Sequence, residues 1–180
     1  MPACSKRCSL RRLRAAVADE IRTERLVLRR ARPDDLAAMH GIMSQAAAMR
    51  YWSTPPHGAV DDTRKWLTLM LDVDPALSDD FIVTLDGVCI GKLGAWKLPE
   101  VGFLIEPAQW GRGYASEALV AFIERRRSLG SIELTADVDP RNAASLRLLE
   151  RHGFVETHRA AGTWQVGDEL CDSLYLRLAL

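Results

Sequence analysis

Residues Val101-Gly-Phe-Leu-Ile105 form an extended apolar run, and Glu106-Pro-Ala-Gln-Trp-Gly-Arg-Gly-Tyr-Ala-Ser-Glu-Ala118 leads from it into an amphipathic helix pattern. A strand, a glycine-bearing turn and a helix start, in that order, leave several backbone N–H groups unpaired and pointing the same way. With the positive end of the helix dipole behind them, these donors form a receptor for phosphate oxygens. Gly111 and Gly113 keep side chains from standing between an anion and the backbone. Three readings of the turn are open. A nucleotide-triphosphate loop would close on Lys-Ser or Lys-Thr, and neither pair is present. A dinucleotide fingerprint would begin directly after the strand and place a third glycine where Ser116 stands; five residues separate Ile105 from Gly111. Glu133 does lie near the ~20-residue offset of the ribose-binding acid in that fingerprint. The third reading is an ordinary βα connection, which needs its glycines only to bend. On the glycines alone it is the simplest.

A second segment changes the balance. Pro140-Arg-Asn-Ala-Ala-Ser-Leu-Arg-Leu-Leu-Glu-Arg-His-Gly-Phe154 follows a strand pattern at Ile132-Glu-Leu-Thr-Ala136. Together, Gln109 to Ala118 and Asn142 to Phe154 resemble the two linked motifs of the GNAT superfamily of acyl-CoA-dependent N-acetyltransferases. Val101 to Pro107 and the opening Thr23-Glu-Arg-Leu-Val-Leu-Arg-Arg30 resemble the branch typified by ribosomal-protein N-terminal acetyltransferases. The resemblance covers roughly residues 21–180. It implies a GNAT-like α/β (α+β) fold: a mixed, mostly antiparallel twisted sheet with two splayed parallel central strands and helices on both faces.

The resemblance also implies roles for individual residues. Backbone N–H groups of Trp110, Gly111, Arg112, Gly113, Tyr114 and Ala115 are expected to bind the pyrophosphate of acetyl-CoA. The Arg112 and Ser116 side chains are candidates for further phosphate contacts, each balanced against an ordinary loop or first-turn position. Phe103, Leu104 and Ile105 are expected to offer main-chain groups to the pantetheine arm, as an added strand would. Asn142 reads as a helix N-cap, worth ~1 kcal/mol, and by resemblance also binds the pantetheine. Two positions depart from the family pattern: Trp110 stands where Gln or Arg is usual, and Leu149 where a tyrosine acid is usual. Ser145, three residues after Asn142, is the alternative group beside the sulfur. A carboxylate near the start of the 101–105 strand is the natural base, and Glu100 is the candidate, against a role as a surface ion-pair partner. Trp52, His57 and the 51–59 loop are expected to wall the acceptor pocket, with Trp96 a further candidate. No anionic cluster is evident there, which argues against polycationic acceptors. No metal is implied.

The rest of the chain sets bounds. At 180 residues and 48% apolar content it suffices for one domain with a substantial core. Lys plus Arg balance Asp plus Glu at 24 each, so nothing draws it in bulk to nucleic acid or an anionic membrane. No apolar run reaches the ~18 residues of a membrane span. Cys4, Cys8, Cys89 and Cys171 lack zinc spacing and read as free thiols in a reducing compartment, here the cytoplasm. Residues 1–20 carry Lys6, Arg7, Arg11, Arg12 and Arg14 and read as a flexible basic extension; residues 21–180 read as one acetyltransferase domain. The expected partner is an amine acceptor, a small molecule or a protein N-terminus; a homodimer is compatible with the reading.

Periodicity gives the element order. Arg25–Arg30 reads as a strand, Leu36, Met39, Ile42 and Met43 mark a helix after Pro33, and Trp66, Leu67, Met70 and Leu71 mark a second. Asp86-Gly87 joins two strands as a hairpin turn. Leu174, Leu176, Leu178 and Leu180 alternate with Ser173, Tyr175 and Arg177 in a half-buried final strand. Arg125-Arg-Arg127 reads as a solvated face near a helix C-terminus.

Overall fold

A computed structural model describes residues 19–180; the basic extension expected over residues 1–20 lies outside them, apart from its last two residues. Strands β1 (Glu20–Arg22) and β2 (Leu26–Arg29) open the chain. A 3-10 turn at Pro33–Asp35 then leads into α1 (Leu36–Met43), followed by α2 (Ala46–Met49) and α3 (Val60–Asp72). Three strands follow: β3 (Asp79–Leu85), β4 (Val88–Lys97) and β5 (Glu100–Ile105). Next come α4 (Tyr114–Ser128), β6 (Glu133–Val138) and α5 (Ala143–Arg151). Two long strands close the fold, β7 (Val155–Val166) and β8 (Glu169–Ala179). The eight strands form one sheet in the order β1-β2-β3-β4-β5-β6-β8-β7. Every neighbouring pair is antiparallel except β5 and β6, which α4 joins as a crossover.

Alternation along the strands supplies two cores. Phe81, Val83, Val101, Ile105, Leu134 and Ala136 face α4 and α5, where Leu119, Phe122 and Leu149 meet them. Ile82 and Leu104, one residue out of phase, face Met39, Ile42, Met43, Met49 and Met70 of α1, α2 and α3. The sheet is therefore covered on both sides, as the resemblance implies. At Asp86-Gly87 both residues have positive φ (50° and 81°), the geometry of a two-residue hairpin turn that glycine accepts without strain.

Several details differ from the sequence reading. The first strand is preceded by β1, which pairs with it in a narrow antiparallel hairpin. Leu71 is 40% exposed, and Thr63, fully buried, takes its place on the inner stripe of α3. Ser173 is buried although it lies on the polar side of the β8 alternation, because Thr163 Oγ1 lies 2.5 Å from its hydroxyl. Strand β7 has no counterpart in the sequence reading. Its residues are nearly all exposed, so no two-residue hydrophobic alternation announces it.

The largest correction concerns the arginine run. Arg125 and Arg126 are not on a solvated face; both reach Asp79, which is 3% exposed. Arg125 Nε and Arg126 NH1 donate to its Oδ2 at 2.9 Å each, and Arg30 NH2 donates to Oδ1 at 2.9 Å. The Arg30 and Arg125 guanidiniums also lie over the Phe81 ring, at 4.3 and 5.1 Å. Burial pushes the Asp79 carboxyl up, but the Arg125 and Arg126 hydrogen bonds and the surrounding positive charge outweigh it, so Asp79 titrates below the usual carboxylate range. Arg127 is exposed, as expected.

Asp79→Ala strands buried guanidinium charge and is expected to lower unfolding stability by about 3–5 kcal/mol, measured by urea denaturation at neutral pH. Because the folded-state pKa is depressed, the wild-type contribution is present above the unfolded carboxylate pKa and disappears as pH falls through the folded one. The gap between the two proteins should therefore close in acid.

Candidate active site

Strands β5 and β6 part almost as soon as they meet. Their ladder consists of one pair, Glu100 with Thr135, marked by Thr135 N–H donating to Pro99 O at 3.1 Å. On its other edge β5 stays paired with β4, and Glu106 N–H donates to Ile90 O at 2.9 Å. Antiparallel pairing alternates, so Leu104, two residues before Glu106, also turns its main-chain groups to β4. Phe103 and Ile105 turn theirs into the gap. Of the three expected strand contacts, Leu104 is thus on the wrong parity, and Phe103 is the residue whose N–H and C=O face the opening with no strand partner among the described residues. The Ile105 carbonyl accepts the Trp110 indole N–H at 2.7 Å.

Beside the gap, a 3-10 turn at Pro107–Gln109 delivers the glycine loop to the start of α4. Trp110 N–H donates to Pro107 O at 3.1 Å, so it is withdrawn from the expected set of free amides. The N–H groups of Gly111 through Ser116 have no backbone acceptor among the described residues; the first helical bond there is Glu117 N–H to Gly113 O, at 3.0 Å. The run of free donors is therefore shifted by one residue, to 111–116. Gly111 and Gly113 have φ of 74° and 83°, left-handed values that let the loop expose its amides.

The loop is held from the β1–β2 hairpin. Arg25 Nε donates to Glu117 Oε2 at 2.7 Å, Arg25 NH1 donates to Arg112 O at 3.0 Å, and the guanidinium lies 4.6 Å from the Tyr114 ring centroid. Thr23 Oγ1 also donates to Glu117. Burial raises the Glu117 pKa, but these hydrogen bonds and the Arg25 charge outweigh it and hold the carboxyl below the ordinary glutamate value. The Ser116 hydroxyl lies 2.7 Å from His152 Nε2, joining the start of α4 to the end of α5. Arg112 has an exposed side chain.

A cavity of about 440 Å³ occupies the gap. Val101, Gly102 and Phe103 line it from β5, Ala136 and Asp137 from β6, and Asn142, Ser145 and Leu149 from α5. Trp52, Trp66 and Lys92 line it from the opposite side of the sheet. One cavity can draw walls from both helical layers because the two strands between those layers have separated. Asn142 caps α5, its Oδ1 accepting Ser145 N–H at 3.2 Å. Glu100 faces the cavity; partial desolvation and the charge of Asp137 raise its pKa, and Lys97 opposes them.

Of the residues expected from sequence, the structure brings Glu100, Ser145, Asn142, Phe103, Trp52 and Trp96 to this cavity. It does not bring His57. That ring is buried, with Nδ1 2.9 Å from Thr63 Oγ1, and its backbone N–H donates to Met43 O. Burial lowers the His57 pKa, consistent with a neutral ring spanning α1 and α3. The expectation of no anionic cluster also fails: Asp80, Asp137, Asp139, Glu169 and Asp172 join Glu100 in the lining. Asp137 and Asp139 come from β6 and the residue after it, Glu169 and Asp172 from β8, and Asp80 and Glu100 from β3 and β5, so no single run of acids marks the group in the sequence. Trp164 and Asp137 were missed as well, Trp164 because it lies on the unpredicted β7.

A sheet parted between parallel strands, with a helix N-terminus of free amides beside the opening, is the arrangement that the GNAT resemblance implies. Residues 25–155 match the model of the acetyltransferase (GNAT) domain, and the chain belongs to that family as an N-acetyltransferase. A relative described as the uncharacterized N-acetyltransferase p20 of Bacillus licheniformis is 28% identical over 142 residues, covering 73% of this chain and 80% of that protein. A GNAT-family acetyltransferase from Bacillus anthracis has a similar fold: TM-score 0.77 at 24% identity, covering 89% of this chain and 98% of the other. So does a ribosomal L7/L12 alpha-N-protein acetyltransferase solved with coenzyme A: TM-score 0.79 at 17% identity, covering 89% and 98%.

At Gly113 a side chain would demand left-handed geometry, and its Cβ would lie 3.4 Å from Arg25 NH2. Gly113→Ala is expected to lower stability by about 1–2 kcal/mol, read as a reduced denaturation midpoint at unchanged m-value.

Proposed function

We propose that residues 21–180 act as one unit that transfers the acetyl group of acetyl-CoA directly to a primary amine. The observation carrying this reading is the run of six free amides, 111–116, beside a strand edge left open at Phe103. Oriented N–H groups at a helix N-terminus suit a pyrophosphate, and an open strand edge suits an extended amide-bearing arm. Gly111, Arg112, Gly113, Tyr114, Ala115 and Ser116 would hold the first; Phe103 and Asn142 would hold the second. Arg112 adds a cation beside the loop. The Ser116 hydroxyl is engaged with His152, so its contribution is its amide.

The acceptor chemistry follows from protonation. An α-amino group has a pKa of about 7.7–8.0 and a lysine about 10.4, so either must shed a proton before attack. Glu100 takes that proton, directly or through water. Its raised pKa makes it a better base than an ordinary surface carboxylate. In this reading the Phe103 N–H, on the open edge of β5, would serve the negative charge that collects on the carbonyl oxygen. Ser145 and Leu149 line the cavity; in this reading the serine would stand beside the departing sulfur and the leucine would form an apolar wall. A thiol pKa near ~8.5 lets the thiolate leave with modest help. The rival reading is a non-catalytic acyl-CoA-binding module, which would need no base among the residues lining the cavity.

Amine-dependent release of free thiol from acetyl-CoA tests the reading; coenzyme binding without release from any amine would favour the binding module. Glu100→Gln is expected to lower kcat about 10²–10⁴-fold while the coenzyme A Kd stays unchanged. In wild type the acid limb of the kcat/KM profile should lie above the ordinary glutamate pKa, since only the ionised base works and its pKa is raised. Ser145→Ala is expected to have the smaller effect on kcat, measured in the same assay.

A further inference from the structure

Four tryptophans, Trp52, Trp66, Trp96 and Trp164, line the cavity at the strand gap. Trp96 is 44% exposed and Trp164 47%, so broad indole faces stand open to a ligand. Trp164 owes its position to an irregularity in β7: the register with β8 shifts between Ala160 and Trp164, and Gly162 within it has a φ of 62°. Such bulges re-aim side chains. Here the Trp164 indole N–H donates to Asp137 Oδ2 at 2.8 Å, fixing the ring beside a cavity carboxylate.

The charges can be sorted by partner. Six carboxylates line the cavity against three basic side chains, Arg50, Lys92 and Lys97. Lys92 Nζ lies 2.7 Å from Asp80 Oδ2, and both are buried, so this pair is internally neutral. Arg141 binds both Asp139 and Glu169. Asp172 Oδ1 accepts the Gly162 N–H at 2.9 Å, holding the bulge. Glu100, Asp137 and Asp172 have no ion pair among the described residues; Asp172 is occupied by the bulge and lies on β8, while Glu100 and Asp137 flank the strand gap. They come from neighbouring strands at the foot of the gap, with Lys97 the nearest opposing charge to Glu100.

We infer that the acceptor is a small primary amine joined by a short linker to a planar aromatic or heteroaromatic ring, its ammonium held by Asp137 and Glu100 and its ring against Trp52, Trp96 and Trp164. The inference rests on the acetyltransferase reading and names the substrate class of the same site. Indole faces favour flat rings and cations alike. Glu100 and Asp137 supply the charge complement, Asp137 standing on the strand beside that of the base. A protein N-terminus would instead bring a polar main chain, which the indole walls do not satisfy.

The test is a comparison of kcat/KM by thiol release with phenethylamine and tryptamine against n-hexylamine, spermidine and a serine-initiated tetrapeptide. The ring-bearing amines should lead by roughly tenfold or more. Trp164→Leu should raise their KM about tenfold with little change in kcat, and Asp137→Asn should lower their kcat/KM while the Kd for coenzyme A stays unchanged in both variants. Equal or better turnover of hexylamine, spermidine or the peptide would overturn the inference and leave the transferase reading intact. Coenzyme binding with no thiol release from any of the five would overturn both.

Discussion

The buried carboxylate of Asp79 decides where α4 lies. It gathers Arg30 from the end of β2 and Arg125 and Arg126 from the last turn of α4, so the C-terminal end of that helix is tied to the sheet. Desolvating such ions is costly unless each is matched, and three guanidiniums on one carboxylate make the geometry exacting. At its other end α4 is tied by Glu117 to Arg25 and Thr23. A helix pinned at both ends cannot slide or rotate. Its dipole and free amides therefore keep a fixed aim, which is what an anion receptor with no lysine of its own requires.

The aim matters because of what lies beside it. β5 remains bonded to β4 along most of its length but to β6 at a single pair, so its second edge is free at the level of Phe103. The parting also lets side chains from opposite layers of the protein share one cavity. Asn142, Ser145 and Leu149 come from the α5 side; Trp52, Trp66 and the Asp80–Lys92 pair come from the other. Chemistry located in the plane of the sheet can then be served from both sides, with Glu100 and Asp137 near the point where the strands separate.

Much of this was readable in the residues, and the exceptions share a cause. Glycines with a following helix pattern gave the loop, and Asn142 three residues before Ser145 gave the cap, because both are local arrangements. The partners of Arg125 and Arg126 were not readable: they depend on Asp79, more than forty positions away, and a cation near a helix end already has a sufficient local explanation. His57 misled for a related reason. A turn-rich sequence suggests exposure, yet Thr63 offers a buried hydroxyl between two imidazoles, with His40 Nδ1 also at 2.9 Å. β7 escaped because a strand exposed along nearly its whole length carries no apolar period. Leu104 was assigned to the gap because a strand's parity depends on which edge its neighbour occupies, a tertiary fact.

The indole of Trp110 has a consequence for solubility. An unpaired strand edge is a template on which foreign chains can add and begin to aggregate. By donating to the Ile105 carbonyl, the Trp110 ring caps one end of that template. β6 caps the other at Glu100. The exposed rung between them is too short to recruit a stray polypeptide by backbone pairing, yet long enough to greet a slender amide chain anchored elsewhere. A bulky aromatic in place of a polar loop residue thus shortens the open edge of β5.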